Sequence, residues 1–98
     1  MKEEIKLRNV LQKIVNFVLE KKEYSDFDKA EVLSVYKAPY KTAWCDITYD
    51  LKIYTDVEYH KQDDIIRSFC EEIREYTSSV INETVCAIDI KFLSTYSL

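Results

Sequence analysis

The stretch WCDITYDLKIYTD, residues 44–56, alternates between apolar and polar residues almost without a slip. Cys45, Ile47, Tyr49, Leu51 and Ile53 fall on one side. Trp44, Asp46, Thr48, Asp50, Lys52 and Tyr54 fall on the other. Successive side chains of a β-strand point to opposite faces, so a period of two held over this length specifies a long strand with one buried side. That side needs a covering layer, and the rest of the chain must supply it.

Two segments have the period to do so. Residues 2–22 read as an amphipathic helix with Leu7, Leu11, Ile14 and Val18 in one stripe, widened by Val10 and Phe17. Glu3 and Glu4 in its first turn and Lys21 and Lys22 in its last suit the helix dipole. A second helix runs from about Tyr59 to Ser79, with Ile66, Phe69, Cys70, Ile73, Tyr76 and Val80 along its apolar side and Asp63 and Asp64 in its early turns. Asn82 is the best left-handed stop available to it. Between the helices, EYSDFDK is a polar break with Phe27 turned back to the core, and AEVLSVYKA (30–38) is a first strand. PYKT (39–42), with the single proline, Pro39, turns the chain into the second strand, 43–55, as an antiparallel hairpin. TVCAIDIKFL (84–93) alternates once more, with Cys86, Ile88, Ile90 and Phe92 expected inward and Asp89 and Lys91 outward.

The order is α-β-β-α-β in a single domain of 98 residues, enough for one core. Its economical packing is a two-layer α+β sandwich, with two helices packed on one face of a three-stranded sheet. The helical crossover from the second strand to the third is expected to be right-handed, and makes those strands parallel if they are neighbours. Strand order stays open.

Composition excludes more than it assigns. The chain contains no glycine. Walker-type loops, dinucleotide fingerprints and Gly-rich clamps on RNA backbone all need glycine for the turn and the close approach to phosphate. A net charge of −4, with basic residues scattered among acids, works against sequence-independent nucleic-acid binding. No apolar run approaches a membrane span, and MKEEIKLRNV has no signal-peptide pattern, so a cytoplasmic protein is expected. Cys45, Cys70 and Cys86 are odd in number, widely spaced and on apolar faces, and are expected as buried structural thiols.

No constellation specifies an enzyme. His60, the single histidine, sits i, i+4 from Asp64, which makes a surface pair, and nothing supplies an oxyanion hole. The cysteines and His60 lack the short hooks of a zinc site. Asp46 and Asp50 are about 13 Å apart along a strand, too far for an acid/base pair. A cation shared with Asp89 is the oxygen-ligand alternative to a solvated face answered by Lys52 and Lys91. No cofactor, metal or catalytic residue is assigned.

The eight tyrosines carry more weight. Tyr49 and Tyr76 fit buried sides, whereas Tyr36, Tyr40, Trp44 and Tyr54 lie in or beside the hairpin, facing away from the helices. Exposed tyrosine and tryptophan are typical interface anchors, and a sheet with one bare face invites self-association or strand addition. With Asp46 and Asp50 among them, these residues suit a partner protein with a basic site. The expectation is a small non-enzymatic protein-binding or self-assembling module. An acidic inhibitor, an immunity or viral counter-defence protein, or a phage or envelope assembly subunit would each fit.

The element order is also similar to the KH-like group, which includes a ribosome-assembly factor, and to the ring-building modules of secretion assemblies. The stretch from Asp46 to Phe92 resembles the alkaline-shock-protein family. Pro39 followed by CDITYDLKIYT resembles phage tail terminators. The KH likeness implies the alternative function, an RNA- or ribosome-associated factor, with Lys2, Lys6, Arg8 and Lys13 as its basic stripe. The chain lacks the glycines of KH domains.

Overall fold

The structure, a computed structural model, describes residues 2–37, 45–56 and 63–94. Helix α1 (Lys2–Leu19) leads into a 3-10 turn (Lys22–Tyr24), and β1 (Phe27–Lys37), β2 (Ile47–Thr55), α2 (Asp63–Ile81) and β3 (Val85–Leu93) follow. The sheet order is β1-β2-β3, with β1 antiparallel and β3 parallel to the central β2. The expected α+β sandwich is therefore the observed one, and strand order, left open by the sequence, is fixed.

Every odd residue of β2 from Ile47 to Thr55 is buried and every even one half-buried, matching the alternation that specified the strand. Leu11, Val15 and Val18 of α1 and Phe69 and Ile73 of α2 share one core with Val32, Val35, Tyr49, Leu51, Ile53 and Val85. Both helices thus cover the same face of the sheet. Phe27 packs into the core as expected, stacked on Tyr24 and edge-on to Phe69. Asn82 ends α2 at a positive φ of 56°, with its N–H bonded to the Ser78 carbonyl at 2.8 Å.

Four expectations need correction. First, α1 stops at Leu19, so Lys21 and Lys22 do not lie in its last turn. Lys21 instead reaches across to Glu72 of α2. Second, the apolar stripes are wider than the core can cover. Phe17 is 55% and Val80 64% exposed, and Tyr76 lies over Phe17 at the helix seam with ring centroids 5.3 Å apart. Third, β3 does not alternate cleanly. Tyr49 pairs with Ala87 but Asp50 with Asp89, so Ile88 is an extra, bulged residue, 59% exposed. Cys86 lies beside Thr48, an even-numbered, outward-facing position of β2. Fourth, Cys45 and Cys86 are joined as a disulfide with Cα atoms 5.9 Å apart. Only Cys70 is a free thiol, and burial pushes it up to about 11. Sequence spacing concealed the pair because the two cysteines meet only when β2 and β3 lie in parallel register.

The outer edge of β1 is closed by a side chain. Gln12 of α1 donates to the Ala30 carbonyl at 2.9 Å and accepts from the Val32 N–H at 2.8 Å, taking the place of a neighbouring strand.

Glu72 joins the layers at the other end of α1. One carboxylate oxygen accepts from Lys21 and the other from the buried Tyr24 hydroxyl, which also lies 3.0 Å from Ser68 Oγ. The Lys21 and Tyr24 hydrogen bonds hold the Glu72 carboxyl below its usual range, while burial and Glu72 push Tyr24 up to about 12. A carboxylate with a lowered folded-state pKa stabilises at neutral pH, and that stabilisation is lost as pH falls through the lowered value. Glu72→Gln therefore flattens the acid limb of a stability–pH curve measured by urea unfolding. Tyr24→Phe is expected to cost about 1–2 kcal/mol at pH 7, as a hydrogen bond to a charged group is removed.

Reduction gives a second check. The disulfide closes a loop with a sequence separation of 41. Chain-entropy reasoning assigns a loop of that size roughly 4 kcal/mol as an upper figure. Thermal melts with and without reductant are expected to differ by several degrees, and Cys45→Ser should melt like the reduced protein.

Candidate protein-binding face

With both helices on one side, the even-numbered positions of β2 build the other. Thr48, Asp50, Lys52 and Tyr54 form its central column. On β1, Tyr36 stands opposite Thr48, Glu31 opposite Lys52 and Lys29 opposite Tyr54. On β3, Cys86 stands opposite Thr48, Asp89 opposite Asp50, Lys91 opposite Lys52 and Leu93 opposite Tyr54.

Tyr36 is 48% exposed and donates its hydroxyl to Asp50 at 3.4 Å, a long bond that leaves the ring standing on the face. Tyr54 is half-buried between two ammonium groups, with Lys29 and Lys52 5.7 and 5.9 Å from its ring centroid. These contacts hold two tyrosines in place with little rotamer freedom left to lose on binding. Of the lysines framing Tyr54, Lys52 shares its side of the strand in the sequence pattern, whereas Lys29 carries no such signal. The position of Lys29 follows from the bulge between Phe27 and Lys29, which brings it opposite Tyr54.

Asp46 does something else. Its carboxylate accepts from the Thr84 N–H at 3.0 Å, while its own N–H and that of Ile47 both donate to the Thr84 carbonyl. This ring of bonds, one residue from Cys45, fastens the start of β2 to the start of β3. Of the six residues expected to form the interface, Tyr36, Asp50 and Tyr54 share the outer face and Asp46 sits at this joint. Tyr40 and Trp44 lie outside the described residues, as does His60.

Paired positions on the outer face carry three acids (Glu31, Asp50, Asp89) and three lysines (Lys29, Lys52, Lys91). The face is balanced rather than acidic. Directly across β2 and β3, however, like charges meet: Asp50 faces Asp89 and Lys52 faces Lys91, an unfavourable arrangement for a strand pair. Lys52 is answered by Glu31 across β1, but neither Lys52 nor Lys91 stands opposite Asp50 or Asp89, as the sequence suggested they would.

Among the described residues no three histidine, cysteine, aspartate or glutamate side chains cluster as metal ligands, and no helix is long and apolar enough to cross a membrane. A groove of about 230 Å³ between α2 and β3 is lined by Arg67, Cys70, Arg74, Val85, Ala87 and Ile90, among others. On α1, Lys6 and Lys13 are seven residues apart and share a side. Arg8 falls well round the helix from both, so these three do not form a continuous stripe.

No protein-family model matches the chain, and no curated protein does. Among solved structures it is similar to Aquifex aeolicus Era, in a crystal structure with bound GDP.AlF4-. The TM-score is 0.55 at 8% sequence identity, over 91% of this chain and 31% of that one. The chain spans less than a third of that protein, and at this identity the likeness concerns fold alone.

Asp46→Ala is expected to destabilise the protein by about 1 kcal/mol, the usual worth of one such hydrogen bond, in chemical unfolding.

Proposed function

We propose that this chain is a small protein-binding module, without catalytic chemistry of its own, that engages a partner protein through the outer face of its sheet. The observation that supports this best is the pair of tyrosines on the sheet face opposite α1 and α2, which no helix among the described residues covers: Tyr36 tied to Asp50 and Tyr54 beside Lys29 and Lys52. Rigid, amphipathic aromatics ringed by both signs of charge are what protein interfaces select. A phosphate backbone laid on the same face would meet Glu31, Asp50 and Asp89. Tyr40 and Trp44 belong to the same hairpin in sequence and are included in the proposed site. The acid-rich composition favours, within this class, an inhibitor, immunity or viral counter-defence protein, or an assembly subunit of a phage or envelope structure. Cytoplasmic residence is part of the proposal, and there the Cys45–Cys86 bond stands open to reduction.

The second reading, a KH-like RNA- or ribosome-associated factor, is favoured by the α-β-β-α-β order with its parallel β2–β3 pair.

Affinity capture from one extract with the wild-type chain and with Tyr36→Ser/Tyr54→Ser separates the two. The double variant should lose at least about 2 kcal/mol of binding, roughly thirtyfold, because it truncates both anchors. Hydrogen-exchange protection in the recovered complex should fall on β1 and β2. Equal capture by the variant, or protection confined to the helices, overturns the site. RNA binding that weakens steeply with salt supports the second reading instead.

A further inference from the structure

The two edges of the sheet are treated differently. The β1 edge is closed by Gln12, which occupies the Ala30 carbonyl and the Val32 N–H. Among the described residues no side chain does this for β3 between Ala87 and Lys91, and no strand lies beyond it. This edge is also where apolar surface is left outside the core: Ile88 is 59% exposed at its bulge and Leu93 37% exposed. An open edge carrying apolar side chains is a template for another strand.

The charges on β3 specify which strand. Asp89 and Lys91 each face a like charge on β2, so each gains from an opposite charge on its other side. We propose that β3 is the pairing edge of a two-fold dimer, running antiparallel to the β3 of a second copy with Ile90 opposite Ile90. In that register Asp89 of each copy lies opposite Lys91 of the other, twice over. Centring the two-fold on Asp89 sets aspartate against aspartate, and centring it on Lys91 sets lysine against lysine. Centring it between residues turns inward positions of one copy against outward positions of the other. Of the two-folds centred on residues 89–91, the one at Ile90 alone pairs opposite charges, and the product is a continuous six-stranded sheet with the two outer faces joined into one. The proposal rests on the protein-binding reading above and names a second copy as one partner. It uses neither Tyr36 nor Tyr54.

Sedimentation velocity across a concentration series tests it. The wild-type chain should dimerise. Asp89→Lys and Lys91→Asp should each weaken the dimer by about tenfold or more, because either one sets two pairs of like charges across the interface. The doubly reversed variant, Asp89→Lys/Lys91→Asp, should return to within about threefold of wild type. Loss of folding cannot mimic this result. Inside one copy each single reversal places opposite charges beside Asp50 or Lys52, so its melting temperature should hold or rise while the dimer is lost. A monomer at all concentrations overturns the proposal. So does a dimer indifferent to the single reversals, or one that the double reversal fails to restore. Tyr36→Ser/Tyr54→Ser should dimerise like wild type, so failure of the outer-face assignment and failure of the dimer read out separately.

Discussion

The interior alternation of β2 is the constraint on which the other elements depend. Ile47, Tyr49, Leu51 and Ile53 are all essentially excluded from solvent, and β1 and β3 pair along the two edges of the strand that carries them. Among the described elements β2 alone pairs with a strand on both sides. Because a shift of one residue would turn this whole set outward, the register of both neighbouring strands is decided here. Where β1 and β3 cannot keep a strict period against it they bulge, β1 at 27–29 and 32–35 and β3 at 87–89, while β2 carries the reference spacing. The outer face inherits its rows from the same spacing, which is how Tyr36 comes within reach of Asp50 and why Asp50 meets Asp89.

Two polar fixtures then hold the layers in place. Glu72 ties α2 to the end of α1 and to Tyr24, and the Asp46–Thr84 ring ties the head of β2 to the head of β3. Both are built from side chains that would read as surface residues in isolation, and both satisfy groups that would otherwise be left poorly paired. Gln12 belongs with them, as a side chain doing the work of a strand.

Much of the fold was legible because the periods are strong. The alternation of 45–55, the helical stripe from Ile66 to Ile73 and the stop at Asn82 all translate directly into the structure. The misreadings share a cause. Phe17, Tyr76 and Val80 continue a helical stripe but run past the edge of a sheet only three strands wide, so periodicity placed them in a core that does not extend that far. Ile88 looked inward because an alternating pattern carries no mark of the bulge, which is a property of the pairing with β2. Cys45 and Cys86 looked like separate thiols because their proximity is a consequence of parallel register. Of the site, Tyr36, Tyr54 and Lys52 could be read onto one face, but the place of Lys29 beside Tyr54 could not, since it depends on the bulge in β1.

The Cys45–Cys86 bond also divides the chain in a mechanical sense. It makes a covalent hoop of β2, the crossover helix and the first residues of β3, and leaves α1 with β1 on one side and the rest of β3 on the other outside it. Under tension between the chain ends, the load passes through the sulfur atoms and bypasses the crossover, so α2 is shielded from being pulled out lengthwise. Oxidised, the protein has segments on either side that can give way and one, between the two cysteines, that cannot be drawn open; reduced, that distinction disappears.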